Sequence, residues 1–119
     1  MLPIRKENQL TPGPQPPSDP PMGGYTYIMA HRRRGATYIG VTNDLVRRVH
    51  EHRTKAVKGH TKRYSIARLV YFEAHDDIAA AIRRERTLKH WVQAWKWELI
   101  ENVNPRWDDL WDEIVKSPF

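Results

Sequence analysis

A small α/β (α+β) domain built on a mainly antiparallel sheet follows from three features of the sequence. Two runs rich in strand formers, Tyr25–Ala30 and Ala36–Val41, stand five residues apart and suit a hairpin. A third such run, Ala67–Glu73, comes only after a helical stretch. The chain from Asp76 to Val115 then reads as three helices, so the order is strand, strand, helix, strand, helix, helix, helix.

Residues 1–24 hold seven of the nine prolines and end on Gly23-Gly24. Such a segment has too few apolar groups to offset its ordering entropy, and it is expected to be a disordered, proline-rich leader to a domain spanning 25–115. In the hairpin, Tyr25, Tyr27 and Met29 share one face of the first strand, and Tyr38 and Gly40 share one face of the second. The connecting His31-Arg32-Arg33-Arg34-Gly35 suggests Gly35 at a positive-φ position. Thr42-Asn43-Asp44 offers capping groups for a helix running to about Lys55. A lysine-rich loop precedes the third strand. Asp76–His90, Trp95–Glu101 and Trp107–Val115 supply the remaining helices, the last after Pro105.

Charge is unevenly spread along the chain. Residues 25–100 carry 16 basic and 7 acidic groups, whereas residues 101–119 carry two basic against five acidic. A basic body with an acidic C-terminal cover suggests a polyanionic partner, although an ordinary soluble basic protein has the same balance. The chain has no cysteine, so disulfides and thiolate metal sites are excluded. No apolar run approaches a membrane span and no secretory signal is evident, so a cytoplasmic protein is expected.

Two helices place polar groups where core residues belong. On the second helix Ile78, Ala81, Ile82, Leu88 and Val92 form a stripe with Glu85 at its middle. A carboxylate there must be paired, hydrogen-bonded or bound to a cation. It is either half of an ion pair with an arginine from another element or a metal ligand lining a cleft. On the first helix Leu45, Val49 and Ala56 define the apolar face, with His52 between them. Arg48 lies one turn before His52, so the two side chains can converge. Arg47 and Glu51 belong to a neighbouring, solvent-facing row. His50 and His52 diverge and do not suit a shared zinc site. Tyrosines, an arginine, a histidine and a carboxylate together fit phosphodiester hydrolysis. The carboxylate would hold a divalent ion, the arginine would offset transition-state charge, and a tyrosine with its pKa lowered by nearby cations would position or deprotonate water.

At these residues the chain resembles the GIY-YIG nuclease superfamily, particularly its small stand-alone bacterial members, and is similar to the incision domain of the bacterial excision-repair nuclease. Tyr38-Ile39-Gly40 is an intact second signature triplet, and it runs on through Val41-Thr42-Asn43-Asp44-Leu45-Val46-Arg47-Arg48. The first triplet, Tyr25-Thr26-Tyr27, keeps only its final tyrosine, eleven residues before Tyr38. Glu85, mid-helix after the third strand, matches the family's metal-binding glutamate. Where many relatives place an asparagine after an aromatic, this chain has Trp107-Asp108.

The resemblance implies a three-stranded antiparallel sheet flanked by helices and an endonuclease-like activity dependent on Mg²⁺ or Mn²⁺. Its implied catalytic set is Tyr27, Tyr38, Arg48, His52 and Glu85, with Glu85 on the metal. The implied partner is nucleic acid, DNA first, in repair or processing. Arg32, Arg33, Arg34, Lys55, Lys58, Lys62 and Arg63 are the expected phosphate-contacting groups. The alternative is a nucleic-acid- or partner-binding module on the same fold with little catalysis. A chain beginning at Met22 is expected to melt within a few degrees of the full chain, since the leader offers little to dock. A large fall in melting temperature would show that the leader packs on the domain.

Overall fold

The computed structural model describes residues 23–54 and 66–115. Residues 1–22 of the expected leader lie outside these residues, as does the lysine-rich loop with Lys55, Lys58, Lys62 and Arg63, whereas Gly24, placed in the leader by sequence, is the first residue of the first strand. Strands β1 (Gly24–Ala30), β2 (Thr37–Thr42) and β3 (Arg68–His75) are joined with helices α1 (Leu45–Arg53), α2 (Ile78–His90), α3 (Gln93–Val103) and α4 (Trp111–Val115). The three strands form one antiparallel sheet in the order β2-β1-β3, the α+β architecture that the sequence predicts.

β1 is the central strand and is covered on both faces, so Thr26 to Ala30 are all buried. Alternation sends Ile28 and Ala30 to one side, where they meet Ile39, Val70, Leu88, Ile100 and Trp107 beneath α2 and α3. Tyr27 and Met29 point to the other side and pack with Leu45, Val49, Leu69, Ile66 and Ile114 under α1 and α4. A bulge in β3 opposite Ile28 and Met29 leaves Val70 without a partner. It allows the consecutive Val70 and Tyr71 to face the same core.

Two helix starts follow from the sequence. Asp44 accepts from the Arg47 amide at 3.2 Å and caps α1, and Asp77 accepts from the Ala80 amide at 2.8 Å and caps α2. Two local expectations are corrected. The left-handed residue of the hairpin loop is Arg34, with φ of 56°, rather than Gly35. Arg34 is held there by two hydrogen bonds to Glu101, each of 2.9 Å, while Gly35 is needed for space, since a Cβ would lie 2.8 Å from Arg32 Cγ. The apolar stripe of α2 is also narrower than its periodicity suggests. Ala81 and Leu88 are buried, whereas Ile78, the first residue of the helix, is 39% exposed, and Val92 is 56% exposed because it lies beyond the helix end at His90.

A polar network that the sequence does not announce pins α2 to the sheet. Tyr71, Glu73 and His75 alternate onto the α2 side of β3. Glu73 accepts from Tyr71 Oη at 2.5 Å and from Arg84 Nε and Nη2 at 3.0–3.1 Å. His75 Nε2 lies 3.2 Å from Glu73 Oε1 and 3.2 Å from Thr26 Oγ1. Thr26 donates its own proton to the Ala81 carbonyl at 2.9 Å. Burial alone would raise the Glu73 pKa, but the hydrogen bonds from His75, Arg84 and Tyr71 overcome it and hold the carboxyl at about 2. Because that value is depressed, its stabilisation is present above the ordinary value of 4.5 and is lost as pH falls toward 2. Acid titration of the melting temperature should therefore show a loss on the order of 3 kcal/mol over that window. Glu73→Gln should be less stable at neutral pH and should lack most of that acid dependence. An unchanged acid profile in the variant would remove Glu73 from this role.

Candidate active site

Cross-strand register places the site. Tyr27 pairs with Gly40 and Met29 with Tyr38, so Tyr27, Tyr38 and Gly40 share the face covered by α1. Across this face α1 buries Leu45, Val49 and His52 at helical spacing. Tyr27 and Tyr38 ring centroids are 6.3 Å apart, and His52 lies 5.8 Å from Tyr27 and 5.0 Å from Tyr38. Gly40 makes this packing possible. A Cβ there would stand 2.6 Å from the Tyr27 hydroxyl and 2.9 Å from the Tyr38 ring.

The Tyr27 hydroxyl joins the polar groups. Arg48 donates from Nε to Tyr27 Oη at 3.3 Å, and His52 Nε2 lies 3.1 Å from the same oxygen. Arg48 can only donate, so the arrangement is satisfied when Tyr27 gives its own proton to Nε2 of a neutral His52. Burial, followed by the Arg48 charge, pushes the His52 imidazole down to about 4, which keeps it neutral at pH 7. Its Nδ1 is buried without a hydrogen-bond partner among the described residues.

Tyr27 departs from the expectation of a tyrosine activated by cations. Burial outweighs the Arg48 hydrogen bond and raises its pKa to about 12. With no exposed surface, it is placed to organise the site. Tyr38 is half-buried and retains solvent-accessible surface. The Arg48 guanidinium also interacts with Tyr38, and its pKa is raised chiefly by the hydrogen bond to Tyr27.

Four of the five residues expected to be catalytic, Tyr27, Tyr38, Arg48 and His52, are thus in mutual contact. Glu85 lies on the helix covering the opposite face of the sheet. Ala81 and Leu88 face the core and Arg84 turns to the β3 side to reach Glu73. Glu85, one residue on, therefore turns toward the β2 side, where Tyr38 resides. Its carboxylate is mostly covered and pairs with Lys89 Nζ at 2.9 Å. No ion pair between Glu85 and Arg48 is present among the described contacts; the carboxylate on Arg48 is Glu51, whose Oε1 accepts from Nη1 at 2.9 Å. Glu51 is thus not confined to the solvent-facing row with Arg47, as its spacing suggested.

Among the described residues no three or more His, Asp and Glu side chains converge on a metal position. A cation at Glu85 would rest on one protein carboxylate, with water and phosphate oxygens completing its shell. That donor set suits Mg²⁺ or Mn²⁺, which commonly bind through one or two carboxylates and substrate phosphate. His50 is exposed against Trp111, with ring centroids 6.3 Å apart, and has no part in a shared site with the buried His52.

The basic groups divide. Arg34 is committed to Glu101 and lies over the Trp97 ring at 5.1 Å, and Arg33 is 3.8 Å from the same carboxylate. These contacts tie the hairpin loop to α3. Arg32 is exposed. Asp108 is exposed too, and its backbone is clasped by a residue that sequence reasoning missed. Asn104 donates to the Val70 and Asp108 carbonyls at 3.0 and 2.9 Å and accepts from the Asp108 amide at 3.0 Å. The Asn104-Pro105 turn signal after α3 was the available clue.

This fold and cluster define a nuclease-like domain of the GIY-YIG type. The family model described as the GIY-YIG catalytic domain matches residues 23–98, and the chain belongs to that family. It is similar to a UPF0213 protein of Haloquadratum walsbyi, 36% identical over 77 residues that cover 65% of this chain and 85% of the relative. A UPF0213 protein of Aeromonas salmonicida is 27% identical over 107 residues, covering 87% of this chain and 78% of the relative. The solution NMR structure of a UPF0213 protein from Bacillus halodurans aligns at 25% identity with a TM-score of 0.48, covering 82% of this chain and all of that one. Nucleases of this family generally use divalent metal ions, and no helix among the described residues is long and apolar enough to cross a membrane.

The close approach at Gly40 carries its own test. Gly40→Ala should lower stability by about 1–3 kcal/mol through overpacking and should disturb the Tyr27 and His52 ring signals in NMR spectra. A variant with wild-type melting temperature and unshifted ring signals would show that the contact can relax.

Proposed function

We propose that this protein is a divalent-metal-dependent endonuclease that hydrolyses phosphodiester bonds in nucleic acid, DNA first, in DNA processing or repair. The observation that carries the reading is the Arg48 guanidinium, held by Tyr27 and Glu51 and facing the half-buried Tyr38 beside a neutral His52.

Arg48 binds a non-bridging oxygen of the scissile phosphate and gains strength as negative charge builds up there. Tyr38, the solvent-accessible tyrosine of the pair, holds the attacking water. Tyr27 is too buried to ionise readily and acts as the link that orients Arg48 and His52. Neutral His52 can take up a proton delivered at Nε2 through the Tyr27 hydroxyl. Glu85 would hold Mg²⁺ or Mn²⁺, which supplies Lewis-acid polarisation of the phosphate and its leaving oxygen. Arg32 and the cations expected from 55 to 63 would contact flanking phosphates. The Glu85–Lys89 pair is the observation that favours the second reading, a binding module with little catalysis, because Lys89 already neutralises the carboxylate.

Arg48→Ala should reduce cleavage by about 10²–10³-fold while keeping most of the affinity. Glu85→Gln should lose both Mn²⁺-dependent cleavage and any Mn²⁺-induced rise in melting temperature. Its stability without metal should change by less than about 1 kcal/mol, since the Lys89 partner is largely exposed. Assays on linear and structured DNA and RNA, with and without Mn²⁺, separate the readings. Binding without cutting in the wild type favours the module, and a Glu85→Gln protein cutting at the wild-type rate refutes the metal assignment.

A further inference from the structure

Arg48 has one more partner than its role toward phosphate requires. A guanidinium carries five N–H donors in a rigid plane. In this site Nε is used by Tyr27 at 3.3 Å and Nη1 by Glu51 at 2.9 Å. Those two nitrogens occupy two corners of the fork, and the guanidinium also interacts with Tyr38, so five donors are divided among three partners and only one of these is a carboxylate. A single contact at Nε would leave the plane free to swing about the Tyr27 hydroxyl, whereas contacts at both corners fix it. Glu51 is itself braced, because its second oxygen lies 3.5 Å from Arg47 Nη1 and Arg47 Nε lies 3.5 Å from Asp44. The Glu51 and Arg48 side chains are 31% and 34% exposed, so the pair is partly shielded at the rim of the site.

We propose that Glu51 is a positioning residue, whose carboxylate fixes the plane of the Arg48 guanidinium for its contact with substrate. The inference rests on Arg48 acting on the scissile phosphate. It has an electrostatic consequence that an ordinary surface ion pair lacks. A carboxylate this close to a bound phosphate repels the ground-state substrate, yet it holds the donor where transition-state charge develops. Removing Glu51 should therefore lower kcat without raising KM. Loss of alignment of this kind is expected to reduce kcat by about 10- to 100-fold.

The test uses the full chain and two variants. Glu51→Ala keeps good helix propensity and removes the acceptor, while Glu51→Gln keeps a neutral acceptor oxygen and removes the charge. In Mn²⁺-dependent cleavage, Glu51→Ala should show the fall in kcat with KM unchanged or lower. Glu51→Gln should retain most of kcat with a lower KM. A readout independent of cleavage is rotation about the Arg48 Cζ–Nε bond, followed by exchange between the ¹⁵Nη signals. It should be slow in the wild type, accelerate about tenfold or more in Glu51→Ala, and stay slow in Glu51→Gln. Unchanged kcat in Glu51→Ala overturns the proposal, as does a raised KM at constant kcat. Should the wild type cleave nothing, the endonuclease reading fails, and unchanged Arg48 rotation in Glu51→Ala would overturn the positioning role on its own.

Discussion

The Tyr27 hydroxyl sits above a glycine, in space that any other residue at position 40 would fill, and three helical side chains depend on that placement. Arg48 donates to it, His52 lies against it, and Glu51 completes the hold on Arg48 from the far corner. Because β1 is the middle strand and both of its faces are covered, Tyr27 has no exposed surface and its hydroxyl finds its partners within the protein. The polar atoms around it must satisfy one another, which couples the geometry of the cluster to the packing of the sheet.

Two arginine–glutamate assemblies lie on opposite sides of this sheet, and their difference is instructive. On the α2 side Arg84 gives three bonds to Glu73, which also takes Tyr71 and His75, so that carboxylate is saturated. Such an assembly holds elements together and has little left for a ligand. On the α1 side Arg48 divides its donors among Tyr27, Glu51 and Tyr38, and an edge of the guanidinium remains free of a saturating carboxylate. The same residue types are structural where their donors are consumed and chemically available where they are spread.

Burial also sorts the titratable groups. The buried tyrosine is driven up to about 12 and the buried histidine down to about 4, so both are neutral across the physiological range. A cation beside a tyrosine lowers its pKa only when desolvation is the smaller effect, and at Tyr27 it is the larger. Tyr38 is only half-buried and keeps solvent-accessible surface, which the fully buried Tyr27 lacks.

Local signals determined much of this protein from sequence alone. Strand formers five residues apart, acidic N-caps at Asp44 and Asp77, and i to i+4 spacing of Arg48 and His52 depend on neighbouring residues, and the structure reproduces them. The signature tyrosines, Tyr38-Ile39-Gly40 and Arg48 were legible because their spacing reflects one hairpin and one helix. Tertiary structure alone decided which charges meet. Arg48 takes Glu51, Glu85 takes Lys89 and Arg84 takes Glu73, and the first two pairs lie at helical spacings that other candidate partners also satisfied. The left-handed residue proved to be Arg34 because Glu101, 67 positions away, holds it. Asn104 became a clasp only once Val70 lay against it. Periodicity reports which face a side chain occupies and which partners are within reach, whereas the choice among those partners, burial and pKa depend on the surroundings that folding assembles.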